Sequence, residues 1–332
     1  MNFPTTIQAY YSQTANTNTS GTVQTLPFSV LPNNEVTIAV QFSSLNYKDA
    51  LSSRGLNAVT RHYPHIPGID AAGVVLEDTS NTYTTGQQVL VTGYDMGTNT
   101  YGGFSSHIRV PASWVVPLPH SLNLHQSMMI GTAGFTAIYG IIRLKREGII
   151  PYSGPILVTG GTGGVGSFAI FALSQLGYTV VAATRNKANN DFLIELGATE
   201  IVNSNDLLAE PPKPLLAGKY AGAIETVGGK LLDVVLRQTS PKGAVASCGN
   251  VLGIALSTNV LPFILRGISL LGIDSASCVR PIREQVWEIA SRLDFSTLPK
   301  SYSRTIPLEH ANAEIDKMLE GKNTGRVVFS TS

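Results

Sequence analysis

At 332 residues the chain is too long for one typical hydrophobic core and fits two domains. A formal net charge of +1 leaves no electrostatic footprint for nucleic acid or an anionic membrane, while 43% hydrophobic residues and 32 glycines suit a globular α/β protein. The two cysteines, Cys248 and Cys278, lie far apart without a C-x-x-C, which excludes a structural four-thiolate zinc site.

Residues 1–12 lack the basic start and apolar core of a signal peptide. No apolar stretch reaches about 18 uninterrupted residues; the best candidate, 131–144, carries Arg143. A soluble, cytoplasmic protein is expected. Residues 14–21 form a polar Thr/Asn/Ser run that reads as an exposed loop. Glu35-Val36-Thr37-Ile38-Ala39-Val40 alternates like a half-buried strand. Short strands with Gly and Pro punctuation continue through Gly73-Val74-Val75-Leu76, Gln88-Val89-Leu90-Val91 and His107-Ile108-Arg109-Val110, the texture of a twisted, β-barrel-like domain. His62 and His65 stand three apart, but Pro64 opposes the helix that would place both on one face, so no metal pair is expected. Helical character takes over from 127 to 145.

The run Ile156-Leu157-Val158-Thr159-Gly160-Gly161-Thr162-Gly163-Gly164-Val165-Gly166-Ser167 begins with β-formers and breaks into glycines. It resumes as Phe168-Ala169-Ile170-Phe171-Ala172-Leu173, apolar enough for a helix packed on a sheet. Read as strand, turn and helix, it satisfies G-x-G-x-x-G through Gly161, Gly163 and Gly166. The first glycine permits the tight turn, the second lets backbone N–H groups approach a pyrophosphate, and the third lets helix and strand pack closely. The phosphates then sit at the positive end of the new helix. Gly177-Tyr178-Thr179-Val180-Val181-Ala182-Ala183 fits the second strand. Where an NAD site places a carboxylate for the ribose 2′-hydroxyl, this chain has Thr184-Arg185-Asn186-Lys187. Two cations and no acid favour NADPH.

Strand–helix alternation then continues, with candidate strands at 156–159, 178–183, 199–202, 221–226, 243–248 and 268–273, the signature of a doubly wound parallel sheet. The Pro-rich stretch 211–214 reads as a surface loop. Cys248 follows Ala244-Val245-Ala246-Ser247 and reads as a buried strand residue rather than a nucleophile. From Pro281 a helix to about 293, a strand near 302–306, a helix from Leu308 and a final strand 326–329 break the βα repeat. They are expected to return to the first domain, making the nucleotide domain an insertion with the active site in the intervening cleft.

This organisation resembles the medium-chain dehydrogenase/reductase superfamily, and within it the zinc-independent quinone-oxidoreductase-like group. The strings Ser43-Ser44-Leu45-Asn46-Tyr47-Lys48-Asp49-Ala50-Leu51, Pro64-His65-Ile66-Pro67-Gly68-Ile69-Asp70, Ile130-Gly131-Thr132-Ala133-Gly134-Phe135-Thr136-Ala137 and Pro262-Phe263-Ile264-Leu265-Arg266 are similar to those of its acryloyl-CoA reductase branch. Where zinc alcohol dehydrogenases carry Gly-His-Glu, this chain has Gly68-Ile69-Asp70. The resemblance implies a Rossmann sheet at 128–274 inserted into a β-rich GroES-like catalytic domain at 1–127 plus 275–332. It further implies NADPH-dependent reduction of an activated C=C bond without metal, hydride going to the β-carbon of an unsaturated acyl thioester. A donor must stabilise the resulting enolate and a proton must reach the α-carbon.

By the same resemblance Tyr47 faces the nicotinamide, touching either cofactor or substrate, with Asn46 orienting either partner. Arg326, in Asn323-Thr324-Gly325-Arg326, matches a basic position placed at cofactor or thioester. Implied cofactor contacts are Thr132, Phe135, Thr162, Gly163, Gly164, Val165, Gly166, Thr184, Arg185, Asn186, Ser204, Asn250, Ile264 and Ser275. The branch tends to have Ser-Gly-Arg at 184–186 and a basic residue at Ser204, so NADPH selectivity here must rest on Arg185 or Lys187. Arg54, Arg61 and Arg266 are candidates for a CoA-binding mouth. Alternative readings are a quinone reductase, and a non-catalytic NADPH-binding protein of the crystallin kind. The apolar run Gly267-Ile268-Ser269-Leu270-Leu271-Gly272-Ile273 needs a cover on its exposed side, which suggests a homodimer through edge pairing.

Overall fold

Strand Val36–Ser44 has partners on both sides. Strand Asp70–Asp78 runs antiparallel along one flank, while His107–Val110 occupies the first half of the other flank and Arg326–Ser330 the second. Register shifts at Thr37/Ile38 and Val40/Phe42 bend the strand between these partners. Their effect is visible in its burial. Val36, Thr37 and Ile38 are all buried, where a flat half-exposed strand would alternate. The sheet runs Ser303–Pro307, Arg326–Ser330, Val36–Ser44, Asp70–Asp78, Gln88–Thr92, Val116–Pro117. One core on it gathers Ile38, Val75, Val91 and Ile108; another gathers Tyr10, Leu45, Phe104 and Phe329. The computed structural model describes residues 4–13, 20–56 and 59–331; the expected loop at 14–21 lies mostly outside the described residues.

This sheet belongs to one compact unit, Met1–Thr132 with Ser303–Ser332; the other is Ala133–Tyr302. The second unit carries six parallel strands in the order Glu200–Asn203, Val180–Thr184, Ile156–Val158, Tyr220–Glu225, Thr239–Ser247, Ser269–Gly272. The chain thus builds outward from Ile156–Val158 on one side, then on the other from Tyr220–Glu225. Its first helix, Gly164–Gln175, is buried from Gly166 to Leu173, which its almost wholly apolar sequence requires.

The sequence reading placed residues 275–302 with the first domain; the structure packs them on the second. In helix Arg280–Ala290 the Arg283 guanidinium lies 4.9 Å from the Phe135 ring centre, and Trp287 is 6.5 Å from the same ring. Gln175 donates to the Asp294 carbonyl and the Thr297 hydroxyl. The return to the first unit begins at Ser303.

Leu124–Arg146 is the one helix among the described residues with the length and apolar content of a membrane span. Its apolar window is 78% buried inside the protein, as in a core helix. It is broken at Gly131, whose backbone (φ 50°, ψ −159°) is not helical.

Candidate active site

In the first unit the sequence strings converge on Asp70, the fully buried first residue of its strand. Its Oδ2 accepts from Ser44 Oγ (2.5 Å), Asn46 Nδ2 (2.7 Å) and Thr132 N–H (2.8 Å), and its Oδ1 accepts from Thr132 Oγ1 (2.5 Å). Such a set offsets the desolvation of a carboxylate far from water. Arg326, only 2% exposed, supplies the opposite charge at 3.8 Å. Its Nη1 donates to the Leu45 carbonyl and to Asn46 Oδ1, both at 3.2 Å, while Nε and Nη2 have no hydrogen-bond acceptor. Gly131 is the cover. A Cβ there would stand 2.4 Å from Ser44 Oγ, 2.5 Å from Asp70 Oδ2 and 2.7 Å from Arg326 Nη2.

Asn46 links this cluster to the short helix Tyr47–Ser53 that it caps. Its N–H donates to Asp49 Oδ2 (2.8 Å), the reciprocal half of a capping box. Asp49 also accepts the N–H groups of Gly68 and Ile69 and is fully buried. Burial, then the Asp70 charge, pushes its carboxyl up to about 7. Tyr47, one residue on, is 39% exposed, and no hydrogen bond engages its hydroxyl among the described residues. The geometry therefore separates the three expected catalytic residues. Tyr47 is partly exposed, whereas Asn46 and Arg326 are buried. The Arg326 Nη1 is held by Asn46 and Leu45 and its Nη2 lies 3.8 Å from Asp70, while Nε and Nη2 keep donors to spare.

In the second unit the glycine turn lies at the carboxyl end of Ile156–Val158. The left-handed residue is Gly160 (φ 58°), one position before the glycine credited with the turn in the sequence reading. Gly161 is instead hemmed by Ile170 and Leu193. Gly166 packs as expected, since a Cβ there would meet the Gly160 carbonyl oxygen at 2.3 Å. Gly163 is exposed before the helix that Gly164 opens, and Thr162 and Val165 are half-buried beside it. At the end of the second strand Thr184 is buried and accepts from the Asn186 N–H, leaving Arg185, Asn186 and Lys187 exposed.

Ser204 is buried at the start of a five-residue helix. Asn250 is exposed, and Ile264 is 68% exposed on helix Leu261–Arg266. Ser275 accepts from Thr136 Oγ1 at 2.8 Å. Phe135 is a core residue under Arg283, 1% exposed, rather than a cofactor-facing ring. Two of the three arginines considered for a CoA mouth are spent internally. Arg54 pairs with Asp316, Tyr10 and Asn312, and Arg266 donates to the carbonyls of Arg237, Thr239 and Leu216. Arg61 stays exposed. Cys248 lies just past its strand, its thiol pushed up to about 12 by burial and then by Glu225, which leaves no thiolate for chemistry.

Two families match in tandem: the alcohol dehydrogenase GroES-like domain over residues 32–120 and the zinc-binding dehydrogenase over 164–292. The acrylyl-CoA reductase AcuI of Ruegeria pomeroyi is 40% identical over 315 residues, 95% of each chain. The chain belongs to the medium-chain dehydrogenase/reductase superfamily. Among solved structures of the superfamily, the yhdH oxidoreductase of Salmonella enterica in complex with NADP is 39% identical with a TM-score of 0.94, covering 98% of this chain and 100% of that one. Bacillus subtilis yhfP with NAD bound matches with the same identity, TM-score and coverage. Zinc, which part of the superfamily uses, does not fit this donor set. Both Asp70 oxygens are filled by protein donors, and no group of three His, Cys, Asp or Glu side chains converges among the described residues.

Proposed function

We propose that the chain is an NADPH-dependent, zinc-independent reductase of an activated C=C bond, converting acryloyl-CoA to propionyl-CoA. The 40% identity to an acrylyl-CoA reductase along nearly the whole chain carries this reading. Reduced nicotinamide, when bound, supplies the hydride for the β-carbon. Tyr47 contacts the reacting groups: its exposed phenol is a hydrogen-bond donor at the start of a helix whose cap is locked from below. Asn46 and Arg326 act through that cap, with Asp70 setting their geometry.

Selectivity for the 2′-phosphate rests on Arg185 and Lys187, both exposed beyond the second strand. A homodimer follows from the edge strand Ser269–Gly272, which among the described residues pairs on one flank only, and from the neighbouring Val260, Ile264 and Leu265, each more than 60% exposed. A concentration-independent monomer mass in solution would rule that out.

The test of function is oxidation of NADPH with acryloyl-CoA, compared with benzoquinone as electron acceptor. Turnover with the thioester supports the reading; turnover with the quinone alone replaces it with quinone reduction.

A further inference from the structure

Glu225 is a buried charge that the proposed chemistry does not use. It ends strand Tyr220–Glu225, beside strand Ile156–Val158, where the parallel sheet reverses its order of construction. Open parallel sheets bind ligands in the crevice at the carboxyl ends of the strands flanking such a reversal. Thr159 and Glu225 are therefore the feet of the two crevice walls.

The hydrogen bonds between them are dense. Glu225 Oε1 accepts from Thr159 Oγ1 (3.2 Å), Val227 N–H (2.9 Å) and Gly228 N–H (2.9 Å). Oε2 takes a second share of Gly228 N–H at 3.1 Å and faces Ser247 Oγ at 3.5 Å. Thr159 Oγ1 in turn accepts from Thr226 N–H (2.9 Å), and Thr226 Oγ1 donates to the Thr159 carbonyl (2.8 Å). Gly228 is left-handed (φ 74°), and a Cβ there would stand 2.8 Å from the Gly249 carbonyl oxygen. A turn of this shape directs successive N–H groups onto the acceptors at its centre.

The glycine turn and the 184–187 segment belong to the strands on one side of the reversal, which is where the pyrophosphate and the 2′-phosphate are read. Strands Tyr220–Glu225, Thr239–Ser247 and Ser269–Gly272 form the other half, left for the second nucleoside.

We infer that Glu225 is a positioning residue for the nicotinamide half of the dinucleotide, fixing the Thr226–Val227–Gly228 wall of the crevice by accepting the Val227 and Gly228 N–H groups and the Thr159 hydroxyl that holds Thr226. The inference rests on the dinucleotide reading above. It assigns the carboxylate no contact with the ligand.

Three probes test it: NADPH, NADH and 2′,5′-ADP, the last carrying only the adenine half. Glu225→Met removes every acceptor at nearly constant volume and should raise the Kd of both NADPH and NADH about tenfold, the scale of one or two buried acceptors lost. Affinity for 2′,5′-ADP should stay within about twofold, since its contacts lie on the other half of the sheet. Glu225→Gln should recover part of the loss, because its amide carbonyl has two lone pairs for the Oε1 donors. Should the Met variant not fold, Thr159→Val severs the opposite side of the same link and should weaken NADPH about threefold, again sparing 2′,5′-ADP. Equal weakening of NADPH and 2′,5′-ADP by a folded variant, or no weakening of either, overturns the inference. Wild-type protein that binds none of the three overturns the dinucleotide reading itself.

Discussion

Asp49 predicts how stability depends on pH. It is fully buried, and its carboxyl is raised from the ordinary 3.8 to about 7, by burial first and the Asp70 charge second. A carboxyl raised on folding binds more protons in the folded state than in the unfolded state. Its contribution is therefore complete below about pH 4 and lost as pH rises toward about 7. Between pH 5 and pH 7, two units at ~1.4 kcal/mol each give at most about 3 kcal/mol. In a protein of this size about 1 kcal/mol moves Tm by roughly 1–2 °C. Asp49→Asn cannot titrate, so thermal melts of wild type and variant from pH 5 to pH 8 isolate the effect from every other group. The wild-type advantage should be greater at pH 5 than at pH 8 by on the order of 5 °C. A gap that stays constant across that range, or widens toward pH 8, would refute the assignment.

The same cluster makes Gly131→Ala destabilising by about 2–4 kcal/mol, because the new methyl must displace Ser44, Asp70 or Arg326 from a backbone conformation that alanine resists; thermal melts read it. Arg326→Met should cost about 3–5 kcal/mol by leaving Asp70 without its counter-charge, and adding Asp70→Asn, which removes the charge but keeps an acceptor carbonyl, should recover part of that loss. Arg185→Ala should raise the KM for NADPH about tenfold while leaving NADH within about twofold, measured by initial rates. Tyr47→Phe should lower kcat about 10- to 100-fold without a matching loss of NADPH affinity or thermal stability.

The doubly wound half was legible because its signals are local. Apolar runs, a glycine break and an apolar helix gave six strands close to those observed, from Ile156–Val158 to Ser269–Gly272. The boundary at 275 was misplaced for a reason no local pattern carries. Trp287 and Arg283 find their partner at Phe135, about 150 positions back in the chain. Phe135 itself, expected near the cofactor, is covered by that same helix. Gly160, not Gly161, takes the left-handed turn, and adjacent glycines give no way to choose between them. Arg54 and Arg266 stand among polar or apolar neighbours in sequence, yet each is claimed by distant oxygens.

The Asp70 cluster shows the same limit most clearly. Four segments far apart in the chain meet at one buried carboxylate, and only the loss of the Gly-His-Glu pattern marked the position. Asp49 did leave a signal: a carboxylate three residues after Asn46 is the spacing of a capping box. Glu225 left none, since its partners are backbone N–H groups and a threonine from another strand.

The central claim is the reaction, and the most direct measurement is the initial rate of NADPH oxidation with acryloyl-CoA, run beside NADH and beside benzoquinone. The account predicts turnover with NADPH and the thioester that is faster than with NADH or with the quinone, and that falls in Tyr47→Phe. Tight NADPH binding with no turnover of the thioester would contradict it.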